Sequence, residues 1–215
     1  MFKYILYYLK NFLILIRINK PTGIMLLMFP AIWSILIVLK EEINIYLLLL
    51  FAYGSFIMRS AGCIINDIID KKIDRNIERT KSRPLASEKL ENSDAIILLI
   101  IFLSIGLSIL LSLNSICILL GFIAFPLILI YPLMKRFTYF PQLFLAIVFN
   151  FSVLISWSAA KGEFDNQSLL LYLACIFWTL AYDTIYAYQD INDDKKIDVK
   201  SLAIYLEKNI KFWII

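Results

Sequence analysis

Histidine is absent from the 215 residues, which removes imidazole-bound zinc and His-based acid–base chemistry and leaves Asp, Tyr, Lys and Arg for polar work. Charge is scarce as well. Only 18% of residues are Asp, Glu, Lys or Arg, against 61% hydrophobic, and the mean hydropathy is +0.79. That balance excludes an ordinary soluble globule and places the chain among polytopic membrane proteins. The three cysteines (Cys63, Cys117, Cys175) lie in apolar runs without CxxC spacing, so they read as small buried residues rather than a metal or redox set. A net charge of +4 does not indicate nucleic acid, because the basic residues follow membrane topology. No cleavable signal is evident. Lys3, Lys10 and Arg17 recur every seven residues in an acid-free start whose other residues are mostly Phe, Leu, Ile and Tyr. This predicts an amphipathic helix lying in the interface; a transit peptide is the weaker alternative, since Ser is missing.

Apolar runs of membrane-spanning length occupy roughly 22–39, 43–65, 94–113, 115–134, 142–160 and 168–189. The expectation is an all-α polytopic bundle of about six spans, in one membrane-embedded domain covering 1–215. The N-terminus and the segments 66–93, 135–141 and 190–200 hold 16 of the 21 basic residues, whereas the opposite loops hold Lys40 and Lys161. By the positive-inside rule the first group is cytoplasmic.

Two acidic ladders stand at the ends of apolar runs: Asn66-Asp67-x-x-Asp70-x-x-x-Asp74, and Asp183 followed by Asp190 and Asp194. A carboxylate at a membrane-helix centre costs about 2.5–3.5 kcal/mol on insertion scales, so these groups should face an interior partner. Spacings of three, four and seven stack them on one helical face, on the same side of the membrane. Such oxygens suit hard divalent cations, Mg²⁺ in particular, bound together with substrate phosphates. Residues 75–87 are dense in cations, including Arg79 and Arg83. Alone they read as a solvated face with weak surface pairs. Beside two ladders they read as partners for the remaining phosphate charge. Tyr186 lies one turn from Asp183; Asp193 and Asp198 read as solvated. Tyr131-Pro132-x-x-Lys135-Arg136 ends the fourth span, with Pro132 expected to break the helix. Lys135 and Arg136 are either flank charges, or a phosphate contact and an anchor for a substrate carboxylate. Arg59, two turns before Asp67, should face inward.

These motifs, in their order and topological side, resemble the UbiA superfamily of membrane prenyltransferases, most closely the 4-hydroxybenzoate polyprenyltransferases of ubiquinone biosynthesis. The resemblance runs from Arg17 to Ala203 through Lys20-Pro21-Thr22-Gly23, Pro30, Trp33, Asn66 to Asp74, and Arg79-Thr80-Lys81-x-Arg83-Pro84-Leu85. It continues through Tyr131-Pro132-x-x-Lys135-Arg136 and Tyr182-Asp183-Thr184-x-Tyr186 to Asp193-Asp194. It implies Asp67, Asp70, Asp74, Asp190 and Asp194 as the catalytic Mg²⁺ ligands, and Asn66, Lys71, Arg79, Arg83, Tyr131, Lys135, Arg136, Asp183 and Tyr186 as substrate contacts. Lys71 stands where the family often has Arg, and Glu88 where Gly is usual.

The implied reaction is Mg²⁺-dependent transfer of a polyprenyl group from its diphosphate to the ring of 4-hydroxybenzoate. The implied place is a bacterial inner membrane, or a mitochondrial inner membrane. Alternatives are a sister enzyme with another acceptor, an inactive remnant, or, from a different class, a cation transporter with carboxylates nearer the midplane. The family fold has nine membrane helices, and this chain ends near a seventh, at Phe212-Trp213-Ile214-Ile215. The resemblance therefore implies missing C-terminal helices, so that the bundle is expected to be unstable, to oligomerise or to recruit a separate C-terminal half; the other partners implied are polyprenyl diphosphate, 4-hydroxybenzoate and lipid.

Overall fold

The computed structural model of the chain describes residues 2–196 and 200–206, with backbone alone at 2, 5, 135, 190 and 192–194. Among the described residues every element is helical: α1 (Phe2–Leu15), α2 (Thr22–Leu39), α3 (Ile45–Ile69), α4 (Lys71–Asp74), α5 (Asn92–Leu111), α6 (Ser115–Phe137), α7 (Pro141–Lys161), α8 (Asn166–Ala187), α9 (Ile191–Lys196) and α10 (Leu202–Leu206). Six of these (α2, α3, α5, α6, α7 and α8) are long and apolar enough to cross a membrane, as the sequence predicts. At 1.5 Å per residue, the 25-residue α3 is about 37 Å long and exceeds a hydrocarbon core of about 30 Å. Its last turn, with Asn66 and Asp67, therefore emerges at an interface.

Local chemistry sets the ends of the helices. The side chain of Asn44 accepts from Leu47 N at 3.0 Å, and that of Asn114 accepts from Cys117 N at 3.0 Å, each capping a span. Asp165 accepts from Gln167 N and Ser168 N at the start of α8. Gly162, at φ +92°, ends α7 in the left-handed conformation that glycine adopts without strain. Pro30 sits within α2, and Pro126 and Pro132 within α6. The expected break at Pro132 is thus corrected, since α6 runs on to Phe137. Proline removes one N–H from the ladder, and α6 continues through it packed against α7.

Helix α7 is the axis of the bundle, packing against α2, α6 and α8, while α3 packs between α2 and α5. Polar pins hold these contacts where lipid offers no hydrogen bonds. Fully buried Asn150 donates through Nδ2 to Cys175 O (3.1 Å) and Thr179 Oγ1 (3.0 Å) on α8, and Ser34 Oγ on α2 donates to Val153 O on α7 (3.0 Å). Cys63, Cys117 and Cys175 are free thiols and buried. The long connection after α4 packs inward. Leu85 and Leu90 join Leu15, Ile57, Ile64 and Phe102 in one apolar cluster, which fixes the connection against α1, α3 and α5.

Candidate active site

The first ladder crosses from α3 into α4 without losing register, because Asp70 N–H donates to Asn66 O and Asp74 N–H to Asp70 O, both at 2.8 Å. Asp67, Asp70 and Asp74 are all buried, at 1%, 0% and 3% exposure. Buried carboxylates require cations. Arg17 Nη2 donates to both oxygens of Asp67, at 2.7 and 2.9 Å. Arg83 Nη1 bridges Asp67 Oδ1 (3.1 Å) and Asp74 Oδ2 (2.7 Å), and Arg136 Nη2 lies 3.8 Å from Asp70 Oδ1. Arg17 reaches inward because α1 stops at Leu15 and Arg17 takes a left-handed φ of +62°. The expectation that Arg17 continues the exposed basic face of α1 is therefore corrected. A buried, doubly acidic site outbids solvent for that guanidinium. The signal was present in the sequence as an Arg just ahead of Lys20-Pro21.

Other candidates divide. Arg79 Nη1 donates to Tyr186 OH at 3.2 Å and its guanidinium lies 5.3 Å over the Tyr186 ring, so the segment after α4 closes onto α8. Tyr182 stacks beneath Tyr186, with centroids 6.2 Å apart. Lys71 turns elsewhere, donating to Asn92 Oδ1 at 3.0 Å. Arg136 is half-exposed and donates to Ile69 O at 3.1 Å. Glu88, where glycine is usual in the resemblance, has φ +60°, and its carboxylate pairs with Arg75. In the second ladder α8 ends at Ala187, and a 3₁₀ turn over Tyr188–Asp190 precedes α9. The seven-residue register from Asp183 to Asp190 is therefore tightened and is not carried by one continuous α-helix. The side chains of Lys135, Asp190, Asp193 and Asp194, and all of Asp198 and 207–215, lie outside the described residues.

Deeper in the bundle is a cavity of about 350 Å³ between α3, α5, α6 and α7, lined by Leu50, Phe51, Met58, Leu110, Phe125 and Phe149 among others. Among the described residues Arg59 is the sole charged residue lining it, and Tyr131 lines it too. The Arg59 guanidinium lies 5.0 Å from the Phe149 ring centroid, and Coulombic interactions link it to Tyr131 and Asp183. Among the described residues its Nε is buried without a hydrogen-bond partner. Asp183 also interacts with Arg79. One end of the apolar cavity thus meets arginine, tyrosine and carboxylate groups. The hard oxygen donors of the first ladder fit the chemistry of Mg²⁺. Among the described residues, no three metal-ligating side chains are gathered around one point, and Asp67 and Asp74 are turned onto arginines.

This arrangement of six spans, two acidic helix ends and an apolar chamber has a counterpart among known proteins. The model of the UbiA prenyltransferase family matches residues 27–215. The chain belongs to that family. As a UbiA-family chain it is 46% identical over 209 residues to the mitochondrial 4-hydroxybenzoate polyprenyltransferase of Caenorhabditis elegans, covering 96% of this chain and 59% of that one. It is 41% identical over 190 residues to the 4-hydroxybenzoate octaprenyltransferase of Vibrio atlanticus, covering 88% of this chain and 67% of that one. The chain spans about half the length of several curated relatives that it matches, 53% in the case of Drosophila melanogaster. A UbiA homolog from Aeropyrum pernix K1 superposes with TM-score 0.72 at 26% identity, covering 86% of this chain and 70% of that one. An Archaeoglobus fulgidus homolog solved with GPP and Mg²⁺ shares the fold, with TM-score 0.75 at 18% identity over 91% of this chain and 69% of that one.

Proposed function

We propose that this chain catalyses Mg²⁺-dependent transfer of a polyprenyl group from polyprenyl diphosphate to the ring of 4-hydroxybenzoate, with the ladder end on the cytoplasmic side of an inner membrane. The observation that carries the reading is an apolar cavity whose charged lining residue among those described, Arg59, interacts with Asp183, while buried Asp67 and Asp74, bridged by Arg83, follow Arg59 along α3 and α4. The names of the C. elegans and V. atlanticus relatives support the acceptor. The cation assignment rests on the donor chemistry of Asp67, Asp70 and Asp74, joined by Asp190 and Asp194.

The isoprenoid tail lies in the apolar chamber and its diphosphate meets the ladders. Mg²⁺, when bound, offsets the charge of the departing diphosphate and so lowers the barrier to its loss. Arg83 and Arg79 would take the phosphate charge that a cation held by the carboxylates leaves over. The C–O bond of the allylic diphosphate breaks, and the electron pair leaves with the diphosphate. The ring carbon ortho to the acceptor hydroxyl forms the new C–C bond, and transfer of the ring proton to an Asp carboxylate or water restores aromaticity. Phe149 and its apolar neighbours exclude water from the allylic cation. The acceptor carboxylate needs a cation in an otherwise apolar wall. Arg59 answers that need by lining the cavity, whereas Arg136 is half-exposed and is not among the residues lining it.

The test uses purified protein in detergent with labelled 4-hydroxybenzoate, a polyprenyl diphosphate and Mg²⁺. Prenylated product that disappears with EDTA, and falls about 100-fold or more in Asp70→Ala and Asp74→Ala, is the expected result. Turnover that survives EDTA, or prenylation of a different acceptor in preference, would refute it.

A further inference from the structure

Helix α2 carries a glycine one residue after its start, Gly23, although glycine weakens a helix relative to alanine. Its surroundings supply the reason. A Cβ at position 23 would lie 2.7 Å from Arg59 Nε, 2.9 Å from Nη2 and 3.2 Å from Cζ. Real Cβ atoms do not approach heavy atoms that closely. On another side the guanidinium has the Phe149 ring at 5.0 Å. Other glycines differ. A Cβ at Gly62 would meet nothing within 4 Å, and those at Gly106 and Gly121 would meet the apolar ends of Met58 and Leu110. Gly23 is the glycine whose missing side chain makes room for a charged head group.

We propose that Gly23 is a positioning residue for acceptor selection: by presenting bare backbone, it holds open the space from which the Arg59 guanidinium grips the acceptor carboxylate. This deepens the reading of Arg59 as the carboxylate anchor and rests on it. A methyl group at position 23 drives the end of a flexible side chain rather than the backbone. The bundle therefore keeps its fold while the guanidinium shifts by tenths of an ångström. Charge-assisted hydrogen bonds are steep in distance and angle. A shift of that size weakens carboxylate binding without touching the diphosphate end.

The experiment measures equilibrium binding of labelled 4-hydroxybenzoate and of geranyl diphosphate with Mg²⁺ to the full chain, as wild type, Gly23→Ala, Arg59→Lys and the double variant. Gly23→Ala should raise the dissociation constant for 4-hydroxybenzoate about tenfold, on the scale of one impaired hydrogen bond to a charged group, with binding of the diphosphate unchanged. In the Arg59→Lys background the same alanine should cost less, because a lysine Cε takes the place of Nε but nothing replaces Nη2, which lies 2.9 Å from that Cβ and carries the directional hydrogen bond. Thermal stability of Gly23→Ala should equal or exceed wild type; Gly23→Ser repeats the test with a second side chain. If Gly23→Ala binds 4-hydroxybenzoate as wild type does while Arg59→Lys binds weakly, the role of Gly23 falls and the anchor stands. An equal loss from alanine in both backgrounds also overturns the positioning role. If Arg59→Lys itself binds 4-hydroxybenzoate normally, the anchor reading fails first.

Discussion

Removing Arg17 should destabilise the bundle measurably, because Arg17 is one of the arginines that hold its buried carboxylates. Arg17 Nη2 holds both oxygens of Asp67 (2.7 and 2.9 Å), with side chains 16% and 1% exposed. In Arg17→Ala, Asp67 and Asp74 are left to share Arg83, which reaches them at 3.1 and 2.7 Å. Two buried carboxylates against one bridging cation leave a buried negative charge in excess. Breaking a buried pair from one side costs about 3–5 kcal/mol. The lower end applies, because water can enter the space that Arg17 vacates. For a chain of this size about 3 kcal/mol corresponds to a fall in Tm of roughly 6–12 °C. The free thiols Cys63, Cys117 and Cys175 are buried, so a thiol-reactive fluorogenic dye reports unfolding in detergent directly. Arg17→Ala combined with Asp67→Asn removes the excess charge and should recover about half of the loss. A Tm within about 2 °C of wild type for the single variant, or a double variant no more stable than the single, would refute the buried-pair argument.

Glu88 sits at φ +60°, and its carboxylate pairs with Arg75 where both side chains are exposed. Relief of left-handed strain, about 1–2 kcal/mol, should outweigh the lost surface pair and the extra freedom of glycine in the unfolded chain. Glu88→Gly is thus expected to raise Tm by a degree or two, and a drop larger than that would show that the pair dominates. At the opposite end of the bundle, Lys161 and the backbone N–H groups of Ser168 and Gln167 hold the Asp165 carboxyl below its ordinary 3.8. A depressed pKa stabilises the fold above the unfolded value and ceases to as pH falls through the folded one. The Tm gap between wild type and Asp165→Ala should accordingly stay constant above 3.8 and close below it; a gap that widens on acidification contradicts this. In a cysteine-free background, Ser82→Cys and Lys196→Cys should react with an impermeant thiol reagent from one face of sealed vesicles and Glu163→Cys from the other. Labelling of positions 82 and 196 from opposite faces would separate the two acidic helix ends.

Hydropathy was enough to read the six spans, because membrane solvation acts on each helix separately and leaves its mark in consecutive residues. The acidic ladder at Asn66, Asp67, Asp70 and Asp74 was legible for the same reason, since helical periodicity is local. The partners of those acids were not. Arg17 lies 50 residues from Asp67 and Arg83 16 residues away, and only the fold decides which guanidinium meets which carboxylate. Pro132 misled a local rule, because α6 is supported by neighbours that the sequence does not reveal. Arg59 could be predicted to face inward, yet its place beside Phe149, Tyr131 and Gly23 joins four helices and exists only after they pack. Sequence fixes what each segment must bury; tertiary structure decides what it is buried against, because that depends on helices brought together from distant parts of the chain.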